Sequence, residues 1–539
     1  MKPMLFTMIK KGEFNKERII KDIIAGIIVA IIALPLSVAL GISSGVSPEK
    51  GLITAIIAGL LISFLGGSRV QIGGPTGAFV VIVYGIIETY GFEGLVISTI
   101  MAGIILIFLG LMRLGSVIKF VPHPVTVGFT AGIAITLLST QIKDFLGLNI
   151  EKVPAEFIPK INSYLQNIST INLTALVIGI ISLMIMIFWP KVNKTIPGSL
   201  IAIIITTLLV NVLKLPVDTI GSRYTEISAA IPTPSIPNIN LQTIQSLIKP
   251  SFTIAILAAI ESLLSAVVAD GMIGSKHDSN MELIAQGVGN IASGLFGGIP
   301  ATGAIARTAA NVKNGGKSPI AGIVHAIMLF LIMIAFMPLA KLIPMTTLAG
   351  VLIIVSYNMG EWKTFYSLFK APKSDVIILI VTFLLTVIFD LVVAIEIGMV
   401  LTMFLFMKRI SETTNIETSE CSNEFNKSTD KNNMNDNVLV YEINGPFFFG
   451  VVQKFIDAMK GLNSTYDVLV LDMKNATAID STAMDALIRL HRRCETHNVR
   501  LLLADINKQP KKVLRGMGFI DLIGEKSIFK TKEEALSSF

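Results

Sequence analysis

"QIGGPTGAFVV" (Gln71–Val81) interrupts a region that otherwise reads as buried apolar helix. Gly and Pro break helices, and an unpaired backbone group is costly where no water can reach it. Residues 297–304 read "GGIPATGA", nearly the same phrase. The segments behind the two phrases, 75–88 and 303–312, are too short to cross about 20 residues' worth of hydrocarbon. Short, Gly/Pro-interrupted segments at matching positions in two halves point to a transporter binding site.

The surroundings fit a membrane. The chain has 539 residues, 52% hydrophobic and 15% charged, with mean hydropathy +0.72. Apolar segments fall near 23–41, 48–66, 75–88, 93–112, 124–142, 172–190, 196–213, 251–270, 280–296, 303–312, 318–340, 345–358, 374–389 and 391–407. Fourteen segments divide into seven over 23–213 and seven over 251–407. Seven is odd, so the second half enters the bilayer inverted relative to the first. The expected fold is an α-helical polytopic membrane protein, a 7+7 inverted repeat spanning 23–410, preceded by an arm over 1–22.

Charge gives the orientation. Net charge is +7. Residues 1–410 hold 28 Lys+Arg against 19 Asp+Glu, and 411–539 hold 16 against 18. The excess lies on the membrane part, which disfavours a nucleic-acid partner. Arg69, Arg113, Lys119, Lys191, Lys194, Lys276, Lys313, Lys317, Lys363, Lys370 and Lys373 fall in loops on the side of the basic N-terminal arm. The positive-inside rule then places both termini in the cytoplasm of a cell-membrane protein. The N-terminus has no cleavable signal pattern. Cys421 and Cys494 suggest neither a disulfide framework nor a metal site, and no cofactor motif is present.

Residues 411–437 are polar and rich in Asn, Ser and Thr, and read as a linker. Beyond them, strands at 438–443, 467–474 and 500–506 alternate with helices at 451–462, 482–497 and 509–517. This is a cytoplasmic α/β domain over 438–539.

A helix N-terminus carries unpaired N–H donors and partial positive charge. Two such ends meeting at mid-membrane would seat an anion. The expected donors are Thr76, Gly77 and Ala78 on one side, and Gly303, Ala304 and their neighbours on the other. The alternative is that Gly and Pro only ease helix packing. Arg307, in "TGAIARTAAN", would attract the anion directly, unless it snorkels to the cytoplasmic surface. Glu261, in "FTIAILAAIESLLSAVVADG", is the clearest acid at membrane depth and the candidate coupling group, with Ser265 one turn on along the same face. Its alternative is a static partner for Arg307 or for a backbone group. Asp270 would cap or orient a helix end, and Asp390 and Glu396 would be structural. His325 would pack or hydrogen-bond locally, and Pro35 would kink the first segment beside Ser37 and Leu40.

These residues together resemble the SulP family of anion permeases, which includes the mammalian sulfate/anion exchangers and prestin. The stretches that carry the resemblance are "AGIIVAIIALPLSVALGISSGVSP" (25–48), "QIGGPTGAFVVIV" (71–83), "ESLLSAVVADGM" (261–272), "GNIASGLFGGIPATGAIARTAANV" (289–312) and the α/β segment. The resemblance implies core and gate domains moving in an elevator-like way, a C-terminal STAS domain and a homodimer. It places the anion site at Thr76, Gly77, Ala78, Gly303, Ala304 and Arg307, and the coupling position at Glu261. Sodium-coupled bicarbonate members have Asp where this chain has Glu261 and Thr where it has Ile305. Glu at 261 is similar to proton-coupled bacterial members, including a dicarboxylate transporter. The resemblance thus implies a non-enzymatic proton symporter of a small anion, of the C4-dicarboxylate, sulfate or bicarbonate class. An uncoupled exchanger or channel, and a membrane-anchored scaffold acting through the STAS domain, are the alternatives. In "AIDSTAMDAL" (478–487), Ser481 matches a serine that is phosphorylated in anti-sigma-factor antagonists, implying a cytoplasmic protein partner. The plainer reading is that Asp480 or Ser481 caps the helix that follows.

Overall fold

The structure is a computed structural model. It describes the whole chain except residues 117–120, 194–195, 225–226, 231, 236, 238–239, 390, 421–437, 460–465 and 539. Lys119, Lys194, Asp390 and Cys421, together with most of the expected linker, lie outside the described residues. The chain divides into two compact units, Met1–Met399 and Val400–Phe539.

The first unit opens with a short helix, α1 (Met4–Lys10), followed by α2 (Lys16–Ser43) and α3 (Pro48–Leu65). Asn15 caps α2 by accepting the Arg18 N–H at 2.8 Å, and Pro48 starts α3, where its missing N–H costs nothing. The first glycine phrase then forms strand β1 (Gly73–Gly74) and a single 3₁₀ turn (Gly77–Phe79) leading into α4 (Val80–Leu111). Two expected segments, 75–88 and 93–112, are therefore one element broken at Gly91, whose φ of 70° is a conformation open to glycine. Next come α5 (His123–Leu146), α6 (Phe157–Gln166), α7 (Leu173–Val192), α8 (Gly198–Val212) and the one-turn α9 (Ile220–Arg223).

The second half follows with α10 (Leu241–Ile273), α11 (Ser279–Leu295), β2 (Thr302–Gly303), α12 (Ile305–Lys313), α13 (Ile320–Ala340), α14 (Met345–Met359), α15 (Trp362–Leu368), α16 (Lys373–Ile388) and α17 (Leu391–Thr413). Among the described residues, seven helices are long and apolar enough to cross a membrane. α10 starts ten residues before its apolar stretch because Asn240 accepts the Thr243 N–H and caps it early.

The contacts display the inverted repeat. α3 packs on α13, and the mate of that contact, α11 on α4, is also present. α2 on α13 is matched by α10 on α4, and α5 on α16 by α14 on α7. One group of helices comprises α2–α4 and α10–α13; the other comprises α5, α7, α8, α14 and α16. The α4–α11 crossing is close because Gly103 faces Gly287: a Cβ on Gly103 would lie 2.6 Å from the Gly287 carbonyl oxygen. Small residues at such crossings let backbones approach where lipid offers no hydrophobic drive.

The second unit is a five-stranded sheet ordered β3-β4-β5-β6-β7: β3 (Asn415–Glu420), β4 (Val438–Asn444), β5 (Val468–Asp472), β6 (Arg500–Ala504) and β7 (Ile528–Phe529). β3 is antiparallel to β4, and the remaining pairs are parallel. Strand β3 lies inside the stretch whose composition reads as linker. Its polar residues carry no apolar alternation, so only the pairing with β4 reveals it. Alternation sorts β4 onto two faces. Leu439, Tyr441 and Ile443 pack with α18 (Phe449–Met459) and α19 (Ser481–Thr496), and Val438 and Val440 pack with Ala535. α20 (Lys508–Gly516), α21 (Phe519–Ile523) and α22 (Lys532–Leu536) complete the unit.

Candidate functional site

The two glycine phrases meet. Gly73 pairs with Gly303 and Gly74 with Thr302 in an antiparallel crossing of β1 and β2. Pro75, having no N–H, cannot extend the ladder, and the chain turns into a helix within two residues. The second copy starts its helix later in the phrase. Thr302 and Gly303 are still strand, and α12 begins at Ile305.

This offset decides which donors are open. The N–H groups of Thr76, Gly77 and Ala78 head the first helix and donate to no carbonyl or side chain among the described residues. On the second side one of the expected donors is engaged. The Ala304 N–H is spent on the Ile72 carbonyl at 2.9 Å, which makes Gly73–Gly303 the non-hydrogen-bonded pair of the crossing and leaves the Gly303 N–H unused by β1. The open donors in the helix itself belong to Ile305, Ala306 and Arg307, the first turn of α12.

Irregular backbone at membrane depth needs partners, and buried polar side chains supply them. The Thr308 hydroxyl accepts the Ile72 N–H at 3.0 Å, and Asn311 Nδ2 donates to the Val70 carbonyl at 2.8 Å. Gln71 Nε2 donates to Ser262 Oγ at 2.9 Å. Asn290 accepts the Ala301 N–H and donates to the Ala301 carbonyl. Thr54 Oγ1 accepts the Ile299 N–H at 2.7 Å. Glu282, fully buried, accepts the N–H groups of Gly67 and Ser68 at 2.9 and 3.1 Å and so holds the entry to β1. None of these partners stands out in the sequence as a site residue. Their signal was an Asn, Gln, Thr or Glu in an otherwise apolar segment.

Glu261 reaches the crossing directly: the Thr76 hydroxyl donates to its Oε2 at 2.9 Å. The matching Thr302 hydroxyl instead donates to the Ala258 carbonyl, one turn earlier on α10. Ser265 donates to Thr308 Oγ1 at 3.3 Å and clasps α10 to α12. Arg307 is 1% exposed. Rather than snorkelling, its Nη2 donates across the crossing to the Pro75 carbonyl. Its Nε and Nη1 have no partner among the described residues, and Nη1 occupies the space a Cβ on Gly74 would need. Arg307 and Glu261 thus grip the first glycine phrase from two elements, at adjacent residues. They form no direct ion pair, so Glu261 is not the salt-bridge partner of Arg307.

Outside the crossing, Asp270 accepts the His277 N–H at 2.9 Å and orders the α10–α11 turn. His325 is buried, with neither ring nitrogen partnered among the described residues. Ser37 and Leu40 are buried in α2 just past Pro35. In the second unit the helix cap is Asp480, whose Oδ1 accepts the Ala483 N–H at 2.8 Å and whose Oδ2 accepts the Phe449 N–H at 3.1 Å. Ser481 stands next to it at the first helical position, exposed.

An inverted repeat of membrane helices, two half-helices aimed together by crossed strands, and an appended α/β domain define a multi-pass membrane protein of the transporter class. The chain belongs to the sulfate permease family: that family's model matches residues 19–382, and the STAS domain model matches 431–535. YvdB of Bacillus subtilis (strain 168), named as a candidate sulfate transporter, is 42% identical over 97% of this chain and 98% of its own. The transmembrane domain of the bicarbonate transporter BicA from a cyanobacterium superposes with a TM-score of 0.64. It is 29% identical, covering 72% of this chain and 98% of that one. The murine anion transporter Slc26a9 in its inward-facing state superposes with a TM-score of 0.86 over 99% of this chain and 93% of its own. At 18% identity it shares the fold alone.

Proposed function

We propose that the chain is a secondary active transporter that carries a small oxyanion together with a proton across the cell membrane. One observation carries the reading: the Thr76 hydroxyl that heads the first half-helix donates to the Glu261 carboxylate at 2.9 Å. The same residue thus belongs to the anion seat and to the titratable group.

In this reading the anion sits between the open N–H groups of Thr76, Gly77 and Ala78 and those of the first turn of α12, with Gly303 and Ala304 shaping the second wall. The unpartnered Arg307 nitrogens add fixed positive charge. Glu261 couples. Two like charges roughly 6 Å apart repel by about 3 kcal/mol at an effective dielectric of about 20, roughly a hundredfold in affinity. An ionised Glu261 therefore opposes the anion, and a protonated one admits it, so the two travel together. Ser265 holds the α10–α12 clasp that keeps this geometry. Movement of the helix group carrying the seat against the other group would alternate its access, the elevator scheme. Both termini are placed in the cytoplasm by the loop charges, the functional unit is a homodimer, and the STAS domain is regulatory, with Ser481 exposed for modification. Sulfate and bicarbonate, the substrates in the names of YvdB and BicA, head the substrate panel with C4-dicarboxylates.

Uptake into proteoliposomes of the full chain tests this. An inward proton gradient should drive accumulation of at least one of sulfate, bicarbonate or succinate. Uptake that ignores pH and requires sodium would contradict proton coupling. Voltage-dependent flux with no accumulation would favour an uncoupled channel.

A further inference from the structure

A cavity of about 120 Å³ opens beside α4 at Val81. Val81 lies three residues past Ala78, about 4.5 Å along the helix at 1.5 Å per residue. The cavity runs from there past Ser43 of α2, Tyr84 of α4 and Thr140 of α5 to Lys160 and Tyr164 of α6. It therefore connects the neighbourhood of the crossed strands with the 143–171 connection. Its volume is well above the 10–15 Å³ or so that one water needs.

The lining is unusual in what it leaves unused. Lys160 is 3% exposed, and the only opposite charge acting on it among the described residues is Glu88, with which it forms no ion pair. Tyr164 is 3% exposed and its hydroxyl is unpartnered among the described residues. Of the other charged and phenolic groups in the lining, all but the exposed Glu151 are committed. Tyr84 donates to the Val153 carbonyl at 2.7 Å, Lys143 donates to the Ile150 carbonyl, and Asp144 is held by Arg223 at 2.8 Å. An ammonium on so buried a side chain pays for desolvation, and a bound anion would offset that cost. The two buried groups left uncommitted are both donors, and they line one cavity.

We propose that this cavity is a second anion-binding site, in which Lys160 and Tyr164 hold a small oxyanion next to the seat formed by the crossed strands. The inference rests on the proposed oxyanion transport and adds a staging position to it. The site is pH-sensitive. Burial lowers Lys160 to about 8, against the opposing field of Glu88, while burial raises Tyr164 and keeps it a donor. The titratable groups that share the cavity with Lys160 are Tyr84, Lys143, Asp144, Glu151, Tyr164 and Arg223, and Glu88, paired with Lys152, acts on it from α4. Above pH 8 the ammonium is lost and anion binding at this site weakens.

Thermal unfolding of the purified full chain, titrated with sulfate, bicarbonate or succinate at constant ionic strength, separates the two sites. With Arg307→Gln, an anion-dependent rise in midpoint should persist, smaller at pH 9 than at pH 7. Adding Lys160→Gln should abolish it. If Lys160→Gln does not fold, Tyr164→Phe in the Arg307→Gln background should raise the half-saturating anion concentration at least threefold. No residual rise in Arg307→Gln, or a residual rise untouched by the Lys160 and Tyr164 variants, overturns the second site and leaves the crossed-strand seat standing. A wild-type rise lost in Lys160→Gln but unaffected by Arg307→Gln supports the second site and counts against that seat. No rise in the wild type with any of the three anions overturns both.

Discussion

Glu261 and Arg307 carry different parts of the proposed chemistry, and substitution should separate them. Glu261→Gln keeps an acceptor for the Thr76 hydroxyl while removing the titratable proton. It should abolish proton-driven accumulation and make uptake independent of external pH between about 5 and 8, with anion exchange retained. An unchanged accumulation ratio would reject Glu261 as the coupling group. Arg307→Ala removes a donor to the Pro75 carbonyl and two unpartnered nitrogens. Charge-assisted bonds of this kind are worth about 1.5–3 kcal/mol, so the apparent KM for the anion should rise roughly 10- to 100-fold. Unaltered affinity would mean the guanidinium only braces the strand crossing. Both residues were legible in the sequence because a charge in an apolar segment is expensive and demands a reason. Glu282 was not. It sits in the first turn of α11, where an acid reads as an ordinary response to the helix dipole. Only the fold shows that its carboxylate is buried against Gly67 and Ser68.

At the scale of elements, the half-helices were legible as short segments behind Gly/Pro breaks, but the strands that aim them were not. β1 and β2 are two residues each, too short for any alternation to register. Their existence engages the Ala304 N–H and leaves those of Ile305–Arg307 as the open donors of the second helix. The crossing is intolerant of added atoms. Gly74→Ala would place a Cβ where Arg307 Nη1 lies, at a φ of 151°. Overpacking of this kind costs about 1–3 kcal/mol. Gly74→Ala should lower the unfolding midpoint and also raise the KM, because it displaces the guanidinium. At the α4–α11 crossing, Gly103→Val should lower the midpoint through its clash with the Gly287 backbone. Equal midpoints for wild type and both variants would show that these approaches are looser than described. In the second unit, β3 was hidden because its residues are polar and pair at a sheet edge. A truncation meant to remove the STAS domain must therefore start before Asn415, since cutting at 438 strands β3 without its partner.

For the whole molecule, the inverted repeat was legible from segment parity and the duplicated phrase. Which helices group together was not, since apolar segments look alike until their contacts are known. The second unit offers a check of its own packing. Cys494 is 1% exposed, and burial pushes its thiol up to about 12. At pH 8 roughly one part in ten thousand is thiolate, so in a Cys421→Ser chain alkylation should be negligible until the domain unfolds. Ready labelling of the native protein would contradict the described core. The central claim, that one seat joins an anion to a proton through Glu261, is tested most directly by anion accumulation in proteoliposomes under an inward proton gradient, measured in parallel for wild type and Glu261→Gln. The account predicts gradient-driven accumulation in the wild type and equilibration without accumulation in the variant. Equal accumulation in both, or none in the wild type unless sodium is supplied, would contradict it.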